Sequence, residues 1–125
     1  MSGEGVLLDS VIVIDHLNGV DEATAFMRRT GNRAHISAIT RAEVLAGAPA
    51  SMISRVRSLL DAIPLVAIDA PVADLAAELR RAHRWRLPDA LQAAAALHHG
   101  FSLATRNTKD FPPRRHAFVI VPYTR

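Results

Sequence analysis

The chain has 125 residues, half of them hydrophobic and none of them cysteine, and 15 basic side chains outweigh 12 acidic ones for a net charge of +3. That length suits one domain spanning residues 1–125, and the composition excludes disulfides, thiolate catalysis, Cys-bearing zinc sites and a disordered chain. No apolar run reaches the length of a membrane span, and MSGEGVLLDSVIVID has no basic segment before its apolar stretch, so neither an anchor nor a signal peptide is expected and a cytoplasmic setting is.

In chain order, residues 5–9 (GVLLD) form a short buried strand and 10–18 a helix. Residues 21–30 (DEATAFMRRT) place acids in the first turn and arginines in the last, as the dipole of a helix favours. Residues 34–39 (AHISAI) alternate as a strand, and helices follow near 40–47 and 50–62. The second carries Ile53, Val56, Leu59, Leu60 and Ile63 on one side. Residues 64–68 (PLVAI) make another apolar strand. From Pro71 to about Trp85, Val72, Leu75, Ala76, Leu79 and Ala82 recur at helical spacing. Pro88 opens the next helix, Gly100 closes it after His98 and His99, and Ala93–Ala96 allow it close to a sheet. Strands at 101–105 (FSLAT) and 117–121 (AFVIV) complete the chain. Apolar strands alternating with helices predict an α/β fold on a mostly parallel sheet covered on both faces. Ligands of such sheets bind beyond the carboxyl ends of the strands.

Four acids stand where helices begin or strands end: Asp9 in VLLDS, Glu43 in ITRAEVLAG, Asp89 in LPDALQAAAAL and Asp110 in TRNTKDF. Singly, each has a structural explanation. Asp9 can cap the helix at Ser10, and Thr40–Arg41–Ala42–Glu43 has the pattern of a capping box. Asp89 suits a first turn after Pro88, and Asp110 a turn before Pro112 and Pro113. Brought to one sheet edge, the four carboxylates would repel one another, and a divalent cation resolves that repulsion. An acidic pocket in an otherwise basic surface suits phosphodiester chemistry on a polyanion.

The motifs LLDS, TRAEVLAG, PDALQAAAAL and TRNTKDF, in that order from about residue 6 to residue 111, resemble those of the PIN-domain nucleases, and among them the VapC-type toxins of toxin–antitoxin pairs. The resemblance implies a three-layer α/β/α PIN-like fold with a central, mostly parallel sheet. It also implies a Mg²⁺- or Mn²⁺-dependent endoribonuclease, a homodimer, and a cognate VapB-type antitoxin whose peptide covers the active-site groove. Carried onto this chain, it makes Asp9, Glu43, Asp89 and Asp110 the catalytic acids, with Asp9 and Asp89 as direct metal ligands. Glu43, Asp110, Thr105, Asn107 and Ser10 then support the metal site. Val11 departs from the pattern, because the family often has a polar residue there.

Arg80, Arg81, His83, Arg84, Trp85 and Arg86 form the densest basic cluster, which could bind RNA with Trp85 stacked on a base or could simply end a helix in solvent. Arg106 and Lys109, with Arg114 and Arg115, form a second patch beside Asp110. The six histidines lack metal-ligand spacing, and Asp15 is expected to be exposed. The apolar helices near 50–62 and 71–85 are candidates for a dimer interface. Two alternatives to a nuclease remain open at this point. One is a receiver-like, Mg²⁺-binding phosphoacceptor domain using Asp69 and Lys109; the other is a non-catalytic RNA-binding module.

Overall fold

The computed structural model describes residues 4–125; the first three residues, part of the expected 1–125 domain and of the N-terminal segment discussed above, lie outside the described residues. Five short strands, β1 (Val6–Leu8), β2 (Ala34–Ser37), β3 (Leu65–Val66), β4 (Ser102–Ala104) and β5 (Val119–Ile120), stand in the order β3-β2-β1-β4-β5. Every pairing is parallel, with Val6 opposite both Ala34 and Ser102. The helices between them are α1 (Ser10–Leu17), α2 (Asp21–Thr30), α3 (Ala38–Gly47), α4 (Ile53–Asp61), α5 (Ala70–His83) and α6 (Leu87–His99).

Alternation along the strands divides the core in two. Leu7, Val66, Leu103 and Val119 pack with the buried faces of α5 and α6, whereas Val6, Leu8, Ile36 and Ala104 pack with α1, α2, α3 and α4. The result is the expected three-layer α/β/α arrangement. Helix α6 buries Ala90 and Ala93 to Ala96 completely. A helix buried on nearly every side is an interior one, and α6 lies between the sheet and α5. Gly100 ends it in the left-handed region at φ 70°, which glycine adopts without steric cost. Among the described residues no helix is long and apolar enough to cross a membrane.

Several strands are shorter than the sequence reading had them, and three other boundaries differ for a local reason. Strand β2 stops at Ser37, whose hydroxyl accepts the Thr40 N–H at 3.1 Å and so caps α3 earlier than expected. Thr40 is therefore buried inside the helix, and the capping box expected at Thr40–Glu43 does not form. Helix α4 starts at Ile53, after a 3₁₀ turn over Ala50–Met52. Helix α5 ends at His83 because Arg84 turns left-handed at φ 59°, sending Trp85 back into the core. The receiver-like alternative falls here. That fold orders its strands 2-1-3-4-5, while here β2 separates β1 from β3 and Asp69 merely caps α5 by accepting the Val72 N–H at 3.2 Å.

Candidate active site

Strands β1 and β4 are neighbours although two strands separate them in sequence, so the connection reverses direction between them. Such a switch point opens a crevice at the carboxyl ends of the strands. Asp9 leaves β1 and Thr105 leaves β4 at this crevice, and they meet: Thr105 Oγ1 donates to Asp9 Oδ2 at 2.6 Å. Asp9 also caps α1 as expected, with Oδ1 accepting the Ser10 N–H at 2.9 Å. A third donor, Gln92 Nε2, reaches the same Oδ1 at 3.1 Å.

Gln92 is a pocket-lining residue that the sequence reading missed. It is buried, bonds Thr40 Oγ1 at 2.6 Å through Nε2, and accepts from Ser37 Oγ at 2.6 Å through Oε1. Thr40 Oγ1 in turn donates to the Leu8 carbonyl at 3.2 Å. One chain of bonds thus joins α3, α6 and the end of β1 beneath Asp9. The available signal was a single polar side chain inside ALQAAAAL, three residues after Asp89.

A pocket of about 290 Å³ brings Asp9, Glu43 and Asp89 together, with Ser10, Val11, Gln92, Arg86, Arg106 and Asn107 also on its walls. Asp89 enters from the first turn of α6. Its Oδ2 is buried without a hydrogen-bond partner. Arg86 Nε approaches that oxygen only to 3.6 Å, too far for a hydrogen bond. Burial pushes the Asp89 carboxyl above its ordinary range; Arg86 opposes the shift, and negative charge on Asp9 and Asp110 adds to it. Glu43 stands exposed in the second turn of α3.

Asp110 is not on the pocket wall but lies close enough to act on Asp89. Asn107 clamps it: Asn107 Nδ2 donates to Asp110 Oδ2 at 3.0 Å, and the Asp110 N–H donates to Asn107 Oδ1 at 3.2 Å. Thr105 Oγ1 accepts the Asn107 N–H at 3.0 Å, which ties this turn to Asp9. Among the described residues no three His, Asp or Glu side chains already form a cage for an ion. A hard cation such as Mg²⁺ needs none, since it takes one or two carboxylates and keeps several waters. A buried carboxylate oxygen that makes no hydrogen bond, beside a second carboxylate, suits that donor set, so the residues fit a divalent metal.

The basic residues sort differently from expectation. Arg86 is exposed at the pocket rim. Arg106 lines the pocket too, but its guanidinium is engaged with Asp15 at 2.8 and 3.3 Å. Asp15 is buried, contrary to expectation, because Arg106 and the Tyr123 hydroxyl (2.8 Å) neutralise and bond it from both sides. Trp85 cannot stack on a base. It is buried against Phe111 and His83, with Nε1 donating to the Asp110 carbonyl at 3.0 Å. Arg80 donates to the Trp85 carbonyl at 2.8 Å, while Arg81 and Arg84 are exposed. Lys109 lies with Asp110 in a separate pocket.

The PIN-domain family model matches residues 6–115. The chain belongs to the PIN-domain family. Among solved structures, this PIN domain is similar to a chain of a toxin–antitoxin complex from Klebsiella pneumoniae, with 34% identity and a TM-score of 0.91 over 97% of this chain and 100% of that one. It is also similar in fold to a chain of FitAcB from Neisseria gonorrhoeae, at 24% identity and TM-score 0.75 over 94% and 97% of the two chains. DNA-bound VapBC from Salmonella typhimurium supplies a third fold neighbour, at 19% identity and TM-score 0.71 over 86% and 90%. A search of curated protein sequences found no significant match.

Proposed function

We propose that this PIN domain is the endoribonuclease toxin of a toxin–antitoxin pair, cutting RNA phosphodiester bonds with Mg²⁺ or Mn²⁺. The observation that carries the reading is the meeting of Asp9, Glu43 and Asp89 in one pocket, where Asp89 keeps a buried oxygen without a hydrogen bond, Arg86 approaching it only to 3.6 Å. Asp9 and Asp89 would hold the metal. A bound divalent ion supplies positive charge against the phosphate and makes a water molecule a better nucleophile. Thr105, Gln92 and the Ser10 N–H fix the Asp9 carboxylate in one orientation. Asn107 holds Asp110 at the distance from which its charge bears on Asp89. Glu43, at the mouth, orients the attacking water, and Arg86 on the rim offsets the charge of the incoming phosphate.

The partner is a VapB-type antitoxin, a reading supported by the 34% identical relative seen in a toxin–antitoxin complex. A homodimer acting in the cytoplasm completes the proposal. Inducing the chain without its antitoxin and mapping new ends on total cellular RNA tests the function. Discrete new ends should appear with the wild type and vanish with Asp9→Asn; the same ends from both would overturn the reading.

A further inference from the structure

Asp110 lines a cavity separate from the catalytic pocket, of about 190 Å³, together with His83, Trp85, Lys109, Arg115 and His116. Four of these six side chains carry, or can take up, positive charge. Asp110 is the one acid, and its Oδ2 already accepts from Asn107. His83 sits in the last turn of α5, where the helix dipole accounts for a cation. Lys109, Arg115 and His116 come instead from the segment between β4 and β5, so the dipole does not explain them.

Among the described residues none of these four side chains pairs with an acid. The His116 ring lies 5.2 Å from His83 and 5.3 Å from Trp85. Trp85 stacks on His83 at 4.3 Å and, through its bond to the Asp110 carbonyl, makes a fixed back wall. His116 is held below its ordinary value by burial first and then by His83 and Arg115, while the cationic side chains of Lys109 and Arg115 crowd the same cavity. An anion relieves such crowding. The cavity is smaller than the roughly 300 Å³ at which pockets for whole small ligands begin, but it has room for one phosphate group.

We infer that this cavity holds a backbone phosphate of the bound RNA strand, flanking the scissile bond on the Asp110 side. The strand is then gripped at two points, with the Asn107–Asp110 clamp between them, and the second grip sets which phosphate reaches the carboxylates. This rests on the nuclease reading, which supplies the RNA.

The test is equilibrium binding of a fluorescein-labelled single-stranded RNA in EDTA across a salt series. Wild type, the exposed single change Arg115→Ala, and the double variant Arg115→Ala/His116→Gln are compared, with thermal melts to verify folding. Loss of one phosphate contact should lower the slope of log affinity against log salt by about 0.7 and weaken binding roughly tenfold at low salt. Titration with inorganic phosphate should shift the imidazole resonances of His83 and His116. An unchanged slope in folded variants overturns the inference, as does a loss confined to antitoxin binding, which would assign the cavity to an acidic peptide. The two readings fail separately. A wild type that cuts RNA while the variants keep its slope sinks only the cavity assignment; one that binds with the predicted slopes and cuts nothing sinks only the nuclease.

Discussion

Asp9 is oriented by donors from three directions, and two of them come from far along the chain. Gln92 is the most consequential, because it also satisfies Ser37 and Thr40 in a buried network. Gln92→Leu should leave the Ser37 hydroxyl hydrogen without its acceptor and Thr40 Oγ1 and Asp9 Oδ1 each one donor short, at about 1–3 kcal/mol, seen as a lower denaturation midpoint, and should lower kcat more than it raises KM. Wild-type kcat in this variant would show that Asp9 needs no such support. Asp89 makes the opposite contribution. Its carboxyl is raised by burial, so its share of stability is complete only below the ordinary value of 3.8 and is lost as pH rises through the raised value. Asp89→Asn should therefore raise the melting temperature of the metal-free protein at pH 7, with the gain fading in acid. The same change should abolish the stabilisation that Mn²⁺ gives the wild type. Identical melting curves with and without Mn²⁺ in the wild type would contradict the assignment of Asp89. Asp9 and Asp89 were legible because each sits in a short motif at a helix start. Gln92 and Asp15 were not, since their partners lie 52 to 108 residues away.

Helix α6 shows how an element can be legible while its place is not. Proline at its start and glycine after its end mark its limits, and the alanines mark it as a close-packing helix. That it is interior, covered by α5 as well as the sheet, depends on contacts that no local pattern encodes. Ala94→Leu should be destabilising by about 1–3 kcal/mol through overpacking, measured by urea unfolding; a neutral result would mean the layer has slack. The end of α5 makes the same point in reverse. Apolar spacing runs smoothly toward Trp85, yet the left-handed Arg84 breaks the helix and turns the indole inward, where it braces the Asp110 backbone instead of facing RNA. At α3 the Thr–Glu pattern looked like a cap, but Ser37 stands earlier and does that work.

For the molecule as a whole, strand order is what makes the site, and strand order was the least legible property. The strands are short and mostly apolar, so no local pattern along them ranks one parallel order above another. The order β3-β2-β1-β4-β5 makes β1 and β4 neighbours and so sets Asp9 beside Thr105. The chain's end is tied to the same region. Tyr123, its hydroxyl raised far above the ordinary value by burial first and then by Asp15, bonds Asp15, which in turn holds Arg106 at the pocket wall. Tyr123→Phe should cost about 1.5–3 kcal/mol, the worth of a hydrogen bond to a charged group, and leave the metal requirement of cleavage unchanged. The central claim, that carboxylates gathered at the β1–β4 crevice make a metal-dependent ribonuclease, is tested most directly by one paired assay. Purified wild type and Asp9→Asn are given the same RNA with Mg²⁺ or Mn²⁺, and again with EDTA. Cleavage by the wild type only, and only with the metal, is the predicted result; equal cleavage by the two proteins, or cleavage that survives EDTA, would contradict it.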